Sequence, residues 1–337
     1  MRRIHYRAII ILIITFMILC LLALAIGYTR QTPLVSFIAD FDDQTDIYLL
    51  DPTNRDLFNI TQSAFPEWSF GWSHLGTLLY TASIHTTQSA DELMVMTRLG
   101  DERLLDTPET LYSFGGVWSP TGDTFAYFSS HPRNISDIYT ISFPDETVRN
   151  LTQTDTLSES NPYWTPDGTD LLYRLNGDLY LLNLASGERR LLVNIESADI
   201  ESQSPVWSPD GEWLIFYTRS FINGQNRLQA YVVARDGTAL RQLRIPTAIN
   251  STVTWSPDSQ QVAFIGNQND ILFYDLASNR IETVTGTNRR FAPSWSPDGR
   301  WIAFIENRHL YVYDTHTAQI RPLLTEGHVK PPLRWQP

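Results

Sequence analysis

The sequence predicts an all-β fold: a seven-bladed β-propeller of four-stranded antiparallel blades, its ring closed by the C-terminal strand and preceded by one N-terminal transmembrane helix. Three observations carry that reading. Trp72, Trp118, Trp164, Trp207, Trp255, Trp295 and Trp335 recur at separations of 46, 46, 43, 48, 40 and 40 residues, and a period of about 20–50 residues marks a repeat architecture. Runs of four to six β-branched and aromatic residues alternate with polar ones, bounded by Asp, Asn, Gly and Pro, as half-buried strands do. No sustained helical period follows Thr29, whereas the apolar run before it is long enough to span a bilayer.

The N-terminal element is that run. Residues 1–7 form a short tail, residues 8–28 read as a signal-anchor helix, residues 29–33 as a linker, and residues 34–337 as the propeller domain. Arg2, Arg3 and Arg7 precede the run and Arg30 alone closely follows it, so the positive-inside bias leaves the tail in the cytoplasm. The expected placement is a single-pass membrane protein with an extracytoplasmic propeller, periplasmic or at the cell surface. A cleaved signal peptide stays open as the rival, because Ala23 to Ala25 fits a small-x-small cleavage pattern. Cys20, the one cysteine, lies in this run behind the bulky Ile18 and Leu19, unlike a lipidated cysteine. The rest of the chain has no disulfide to hold it and must rely on its own core.

The repeated unit begins with a hairpin. Its copies read "VWSPTGDTFAY", "YWTPDGTDLLY", "VWSPDGEWLIF", "TWSPDSQQVAF" and "SWSPDGRWIAF". In the "SPDG" turn Pro sets φ near −65°, Asp bonds nearby backbone and Gly accepts a left-handed conformation. A third run follows, such as "DIYTIS" or "HLYVYD", and then a fourth, such as "TVRNLT" or "IRPLLT". A lone four-stranded sheet cannot bury both faces, so such units stack radially, with Trp and Phe or Tyr filling the space between them.

The ends of the chain complete one unit. "LVSFIAD", "DIYLLD" and "LFNIT" supply three strands with no Trp hairpin strand before them, and "HVKPPLRWQP" supplies a lone first strand. Joined, they make a shared blade beside the six units led by Trp72, Trp118, Trp164, Trp207, Trp255 and Trp295. The first of these, "GWSHLGTLLYTAS", has His74 and Leu75 in place of the Pro and Asp of the "SPDG" turn, so its turn is the least regular.

The pattern "P-x-WSPDG-x-x-IAF", then "IYVYD", then "LT" resembles the WD40-like repeat of TolB-type β-propellers, and of the propellers in prolyl-oligopeptidase-type enzymes. The resemblance extends over Leu34 to Pro337. It implies a propeller scaffold that serves many functions. TolB-type rings commonly have six blades and a separate α/β domain, and the peptidases carry a hydrolase domain, for which the chain has no room.

Familiar catalytic signatures are missing: no G-x-S-x-G elbow, H-E-x-x-H helix or Gly-rich phosphate loop occurs. No cofactor is expected. Asp167, Asp210, Asp258 and Asp298 recur at one hairpin position and read as turn residues. "DFDDQTD", Asp40 to Asp46, has the oxygen density of a calcium loop without its Gly or distal Glu. His74, His85, His131, His309 and His328 show no metal-ligand spacing. The formal net charge of −12 disfavours nucleic acid as a partner.

The remaining signal is charge on the loops of one rim. Loops entering the Trp164 and Trp207 blades carry Asp155, Glu159, Glu196, Asp199 and Glu201, an acidic sector. Nearly opposite, "TGTNRRFA", "ENRH" and "TEGHVKPP" bring Arg289, Arg290, Arg308, His328 and Lys330 together as a candidate binding surface. The expected role is a binding or scaffold module for a protein, peptide or anionic glycan, membrane-attached through its N-terminal helix. A carboxylate-dependent glycosidase or lyase using the central channel is the alternative.

Overall fold

The computed structural model describes residues 33–336 except 64–65, 74, 83–91, 97–101, 105–112, 131–134, 155, 195–198, 201–204, 223–224, 246–252, 267 and 287. Its strands form seven antiparallel sheets. Six are contiguous in the chain, and each follows the Trp hairpin of the sequence. The Trp164 blade, for instance, runs Glu159–Trp164, Asp170–Leu175, Asp178–Asn183 and Arg189–Val193 in spatial order. The remaining sheet joins the two ends of the chain: His328–Trp335 pairs antiparallel with Val35–Phe41, which continues to Gln44–Leu50 and Leu57–Asn59. In that register Val35 faces Trp335, Ile38 faces Lys330 and Asp40 faces His328.

The fold expected from the sequence does not stand as a whole. The described residues are all β, and none of their segments forms a helix long and apolar enough to cross a membrane. Residues 8–28, the expected transmembrane helix, lie outside the described residues, as does Cys20. The blades are also not uniform. The Trp207 blade has five strands, because its inner edge is broken into Asp199–Ile200 and Val206–Trp207, both paired to Trp213–Ile222. Its central strands, Trp213–Ile222 and Gln225–Ala234, have ten residues each and stay paired out to Ile222 and Gln225. Six contiguous blades and one composite sheet are therefore the units of the ring.

Apolar side chains pack between sheets. Val35, Phe37, Val329 and Leu333 of the composite sheet meet Trp301, Ala303 and Ile305 of the Trp295 blade. On its other face Ile38 and Ile47 meet Phe70, Leu78 and Tyr80 of the Trp72 blade. Further clusters join the Trp164 to the Trp207 blade and the Trp207 to the Trp255 blade. Each strand contributes alternate residues to one boundary or the other, as the two-residue period of a strand requires.

The repeated Trp serves those boundaries in a specific way. The indole N–H of Trp118 donates to the carbonyl of Gly71, that of Trp164 to Val117, that of Trp255 to Val206 and that of Trp335 to Ser294, at 2.9–3.1 Å. Every acceptor is the residue just before the Trp of the preceding blade. First strands of neighbouring blades therefore touch, which places them at the axis where the blades converge. The staple is missing at three boundaries. Trp295 bonds its own turn at Gly299, and the indole nitrogens of Trp72 and Trp207 are buried without a hydrogen-bond partner among the described residues. At the Trp72 boundary the equivalent carbonyl, that of Arg334, accepts from the Ser36 hydroxyl instead.

Candidate functional site

The hairpin carboxylates are occupied within their turns. Ser208, Ser256 and Ser296 donate their hydroxyls to Asp210, Asp258 and Asp298, and accept the amides of Trp213, Gln261 and Trp301. Asp167 is bound by Arg235 of the next blade, whose other amine reaches Asp170 at 2.8 Å. That guanidinium bond is the chief reason the Asp167 carboxyl is held far below the usual carboxylate range, against a smaller opposing effect of burial. A second acid recurs at the start of third strands. Asp46 accepts from the Asn59 side chain and the Ser63 amide, and Asp137 accepts from Asn150, Thr152 and Thr154. Both are 1% exposed, so they tie each outer strand to the rim rather than face a ligand.

The acidic "DFDDQTD" stretch is divided by the same logic. Asp46 points to Asn59 and Ser63, whereas Asp40 accepts from Thr45 and from the Lys330 ammonium. Burial raises the Asp40 carboxyl, but the hydrogen bonds of Lys330 and Thr45 and the nearby charge outweigh it and lower the group below its ordinary value. Among the described residues no group of three or more His, Cys, Asp and Glu side chains could hold a metal ion.

The five residues of the expected basic sector divide into two kinds. Arg290 starts the strand Arg290–Trp295, and its register partner at the end of Trp301–Glu306 is Glu306. The pair is buried: Arg290 Nε donates to Glu306 at 2.6 Å, with side-chain exposures of 7% and 8%, and the guanidinium lies over the Phe304 ring. Lys330 lies in His328–Trp335 and pairs with Asp40 at 2.6 Å. Neither is a loop residue, contrary to the sequence reading, and both charges are matched within the fold.

Arg289, Arg308 and His328 are exposed. Backbone bonds gather them. The Asn307 amide donates to the Arg289 carbonyl at 3.2 Å, and the Val329 amide donates to the Arg308 carbonyl at 2.8 Å. The inner hairpin turn of the Trp295 blade is thus fastened on one side to the loop entering that blade and on the other to the first turn of the closing strand. Asn307 and Arg308 take left-handed φ values of 50° and 69°, as both central residues of a two-residue hairpin turn between Glu306 and His309 do.

The opposite sector offers less. Asp155, Glu196 and Glu201 lie outside the described residues, as do His74, His85 and His131 and the side chain of Asp199. Glu159 is fully buried, accepts from Thr154 and lies 3.9 Å from Arg189. Burial pushes its carboxyl above the usual range. It belongs to the interior.

Comparison with known proteins places this geometry. Residues 174–337 match the TolB beta propeller domain family. An uncharacterized peptidase of Bacillus subtilis (strain 168), YuxL, is 26% identical over 139 residues, a match spanning 29% of this chain and 20% of that protein. The chain thus spans only a fifth of this curated relative. The solved structure of TolB from Acinetobacter baumannii superposes with a TM-score of 0.54 at 13% identity, covering 75% of this chain and 64% of that one. An oligogalacturonate lyase in complex with manganese superposes with a TM-score of 0.64 at 16% identity, covering 82% of this chain and 84% of that one. At such identities the likeness is one of fold. Residues 174–337 are thus similar to the TolB beta propeller domain family, and the described strands before them form antiparallel sheets of the same kind.

Proposed function

We propose that the chain is a binding propeller whose rim cations Arg289 and Arg308, with His328, take an acidic peptide segment of a protein partner. The observation that supports this reading is the pair of backbone bonds, Asn307 to Arg289 and Val329 to Arg308, which hold the three residues together on one rim, all three exposed to solvent. In a chain of net charge −12 such a group is a local attractive field against the background. Guanidinium groups bind carboxylates through paired charge-assisted bonds. We place the propeller outside the cytoplasm, where a protease added to intact cells would reach it. The likeness to a lyase is one of fold and brings the propeller, not the reaction.

The test is a calorimetric titration of the full chain with a hexaglutamate peptide at low and high salt. The Arg289→Gln/Arg308→Gln variant is expected to bind about tenfold more weakly at low salt, equivalent to about 1.4 kcal/mol, and to lose most of its salt dependence. Equal affinity of variant and parent at low salt overturns the reading. Tighter binding of an oligogalacturonate, with turnover, would move it to a carbohydrate-active enzyme.

A further inference from the structure

An arginine recurs on the outer strands at one repeat position. Arg190, Arg241 and Arg321 stand opposite Leu181, Val232 and Val312 in their blades. Each donates an amine to a backbone carbonyl in the turn before the outer strand of the next blade: Arg190 to Arg235, Arg241 to Leu276 and Arg321 to Pro52. Two of these bonds lie among acceptors. Arg241 also reaches the Asn279 side chain at 3.0 Å, and the guanidinium of Arg235 itself is taken by Asp167 and Asp170. The third bond, between the Trp295 blade and the closing sheet, lies among cations.

There the indole of Trp301, 3% exposed, carries two guanidiniums: Arg300 Cζ lies 4.4 Å and Arg321 Cζ 4.8 Å from the ring centre. Arg55 belongs to the same turn as Pro52, where its amide donates to the Asp51 carbonyl at 2.9 Å, and it is exposed. The acids nearby are already engaged. Asp314, 6% exposed, accepts the His316 and Thr317 amides and has Arg300 at 3.5 Å. Asp51 accepts from Thr53, Asp56 from Asn54, and Asp298 from Ser296 and the Arg300 amide. Burial pushes the Arg321 guanidinium below its ordinary value, and the charges of Arg55 and Arg300 push it further, which Asp314 only partly opposes.

We propose that Arg55, Arg300 and Arg321 hold a phosphate group at this boundary. Three guanidiniums gathered around one engaged carboxylate repel one another in the free chain, and a dianion removes that cost. Their planar forks match phosphate oxygens in pairs. Stacking on the indole orders two of the forks beforehand, so less side-chain freedom is lost on binding. The site does not rest on the reading of Arg289 and Arg308. Arg300 stands in a turn between first and second strands and Arg55 in one between third and fourth, whereas Arg308 stands between second and third. Successive turns of an antiparallel blade alternate between its two ends, so the two groups of cations lie on opposite faces of the ring. The phosphate comes either as the free anion or as a phosphomonoester.

Calorimetric titration of the full chain with inorganic phosphate at low salt and about pH 8, where phosphate is a dianion, tests the site. Saturable binding is expected in the parent and in Arg289→Gln/Arg308→Gln. A fall of about tenfold or more is expected in Arg55→Gln/Arg300→Gln, which leaves the Arg321 bond to Pro52 in place. Glycerol 3-phosphate binding more tightly than phosphate identifies an ester as the ligand, and equal or weaker binding identifies the free anion. The Trp301 indole N–H resonance, assigned by its loss in Trp301→Phe, is expected to shift as phosphate is added to the parent, a readout that needs no folded arginine variant. The site is overturned by no saturable binding in the parent, by binding lost in Arg289→Gln/Arg308→Gln or unchanged in Arg55→Gln/Arg300→Gln, by an unmoved Trp301 resonance at saturating phosphate, or by succinate binding as tightly as phosphate.

Discussion

The indole N–H of Trp164 donates to the carbonyl of Val117 at 3.1 Å, across the boundary between two blades, whereas the indole nitrogen of Trp207, at the next boundary, is buried with no hydrogen-bond partner among the described residues. The same residue at the same repeat position thus holds one boundary by packing and a hydrogen bond and the next by packing alone. Trp164→Phe removes ring area and a net hydrogen bond of about 1 kcal/mol and leaves the Val117 carbonyl unbonded. Trp207→Phe removes similar area but also a buried donor with nothing to bond. Urea denaturation is expected to rank Trp164→Phe as the more destabilising by about 1 kcal/mol or more. Equal costs would mean that the staple contributes nothing beyond area.

Repeat spacing made the Trp positions legible, but not this division of labour. The acceptor is a backbone carbonyl, which every residue offers, so no residue type signals it. Arg290 was misread for a related reason: adjacent to Arg289 in "NRRF", it has the same local character, and only the register with Glu306 separates a buried pair from a rim cation. The sign was present as Glu306 at the far end of the partner strand, readable once the hairpin is drawn residue by residue. Lys330 follows the same pattern, since its partner Asp40 lies at the opposite end of the chain and meets it only through the closing sheet. The clustering of Arg289, Arg308 and His328 was readable, because loops of successive strands share a rim.

The closing sheet is expected to be required for stability. Removing residues from His328 onward uncovers the edge of Val35–Phe41 and deletes Val329 and Leu333, each 2% exposed and each worth about 1.5–3 kcal/mol of burial. An open edge also invites association between chains. Differential scanning calorimetry should show a large fall in Tm, with light scattering rising on heating. A truncated chain that melts as the parent does would contradict this closure.

Arg235 links two blades through Asp167 and Asp170, and its effect is pH-dependent in a defined direction. The Asp167 carboxyl is depressed in the folded chain, chiefly by the Arg235 hydrogen bond. Its contribution to stability is therefore fully present above the unfolded value of about 3.9 and lost as pH falls through the lower folded value. Arg235→Met should be less stable than the parent at pH 7, and the difference should shrink below about pH 4. Both acids keep solvent contact, so the gap at neutral pH is expected to be modest. A gap that persists unchanged into strong acid would point to lost packing instead.

Glu159 carries the opposite sign. Burial raises its carboxyl, so its ionisation opposes folding once pH rises past the unfolded value of about 4.3. Glu159→Gln keeps an oxygen for the Thr154 hydroxyl and removes the charge. The variant should gain on the parent in urea midpoint between pH 4 and pH 8. If it is weaker than the parent at pH 8, the Arg189 charge 3.9 Å away outweighs desolvation.

Hydrogen–deuterium exchange with hexaglutamate bound tests the central claim, that the gathered rim cations are the working surface, because it locates the ligand without altering a residue. The amides of Asn307 and Val329 bridge the three cation-bearing segments. Slower exchange is expected in peptides covering residues 286–291, 305–310 and 326–330, with no change in those covering residues 156–161. Protection confined to the segments around Glu159, or absent from all three cationic segments at saturating peptide, would contradict the account.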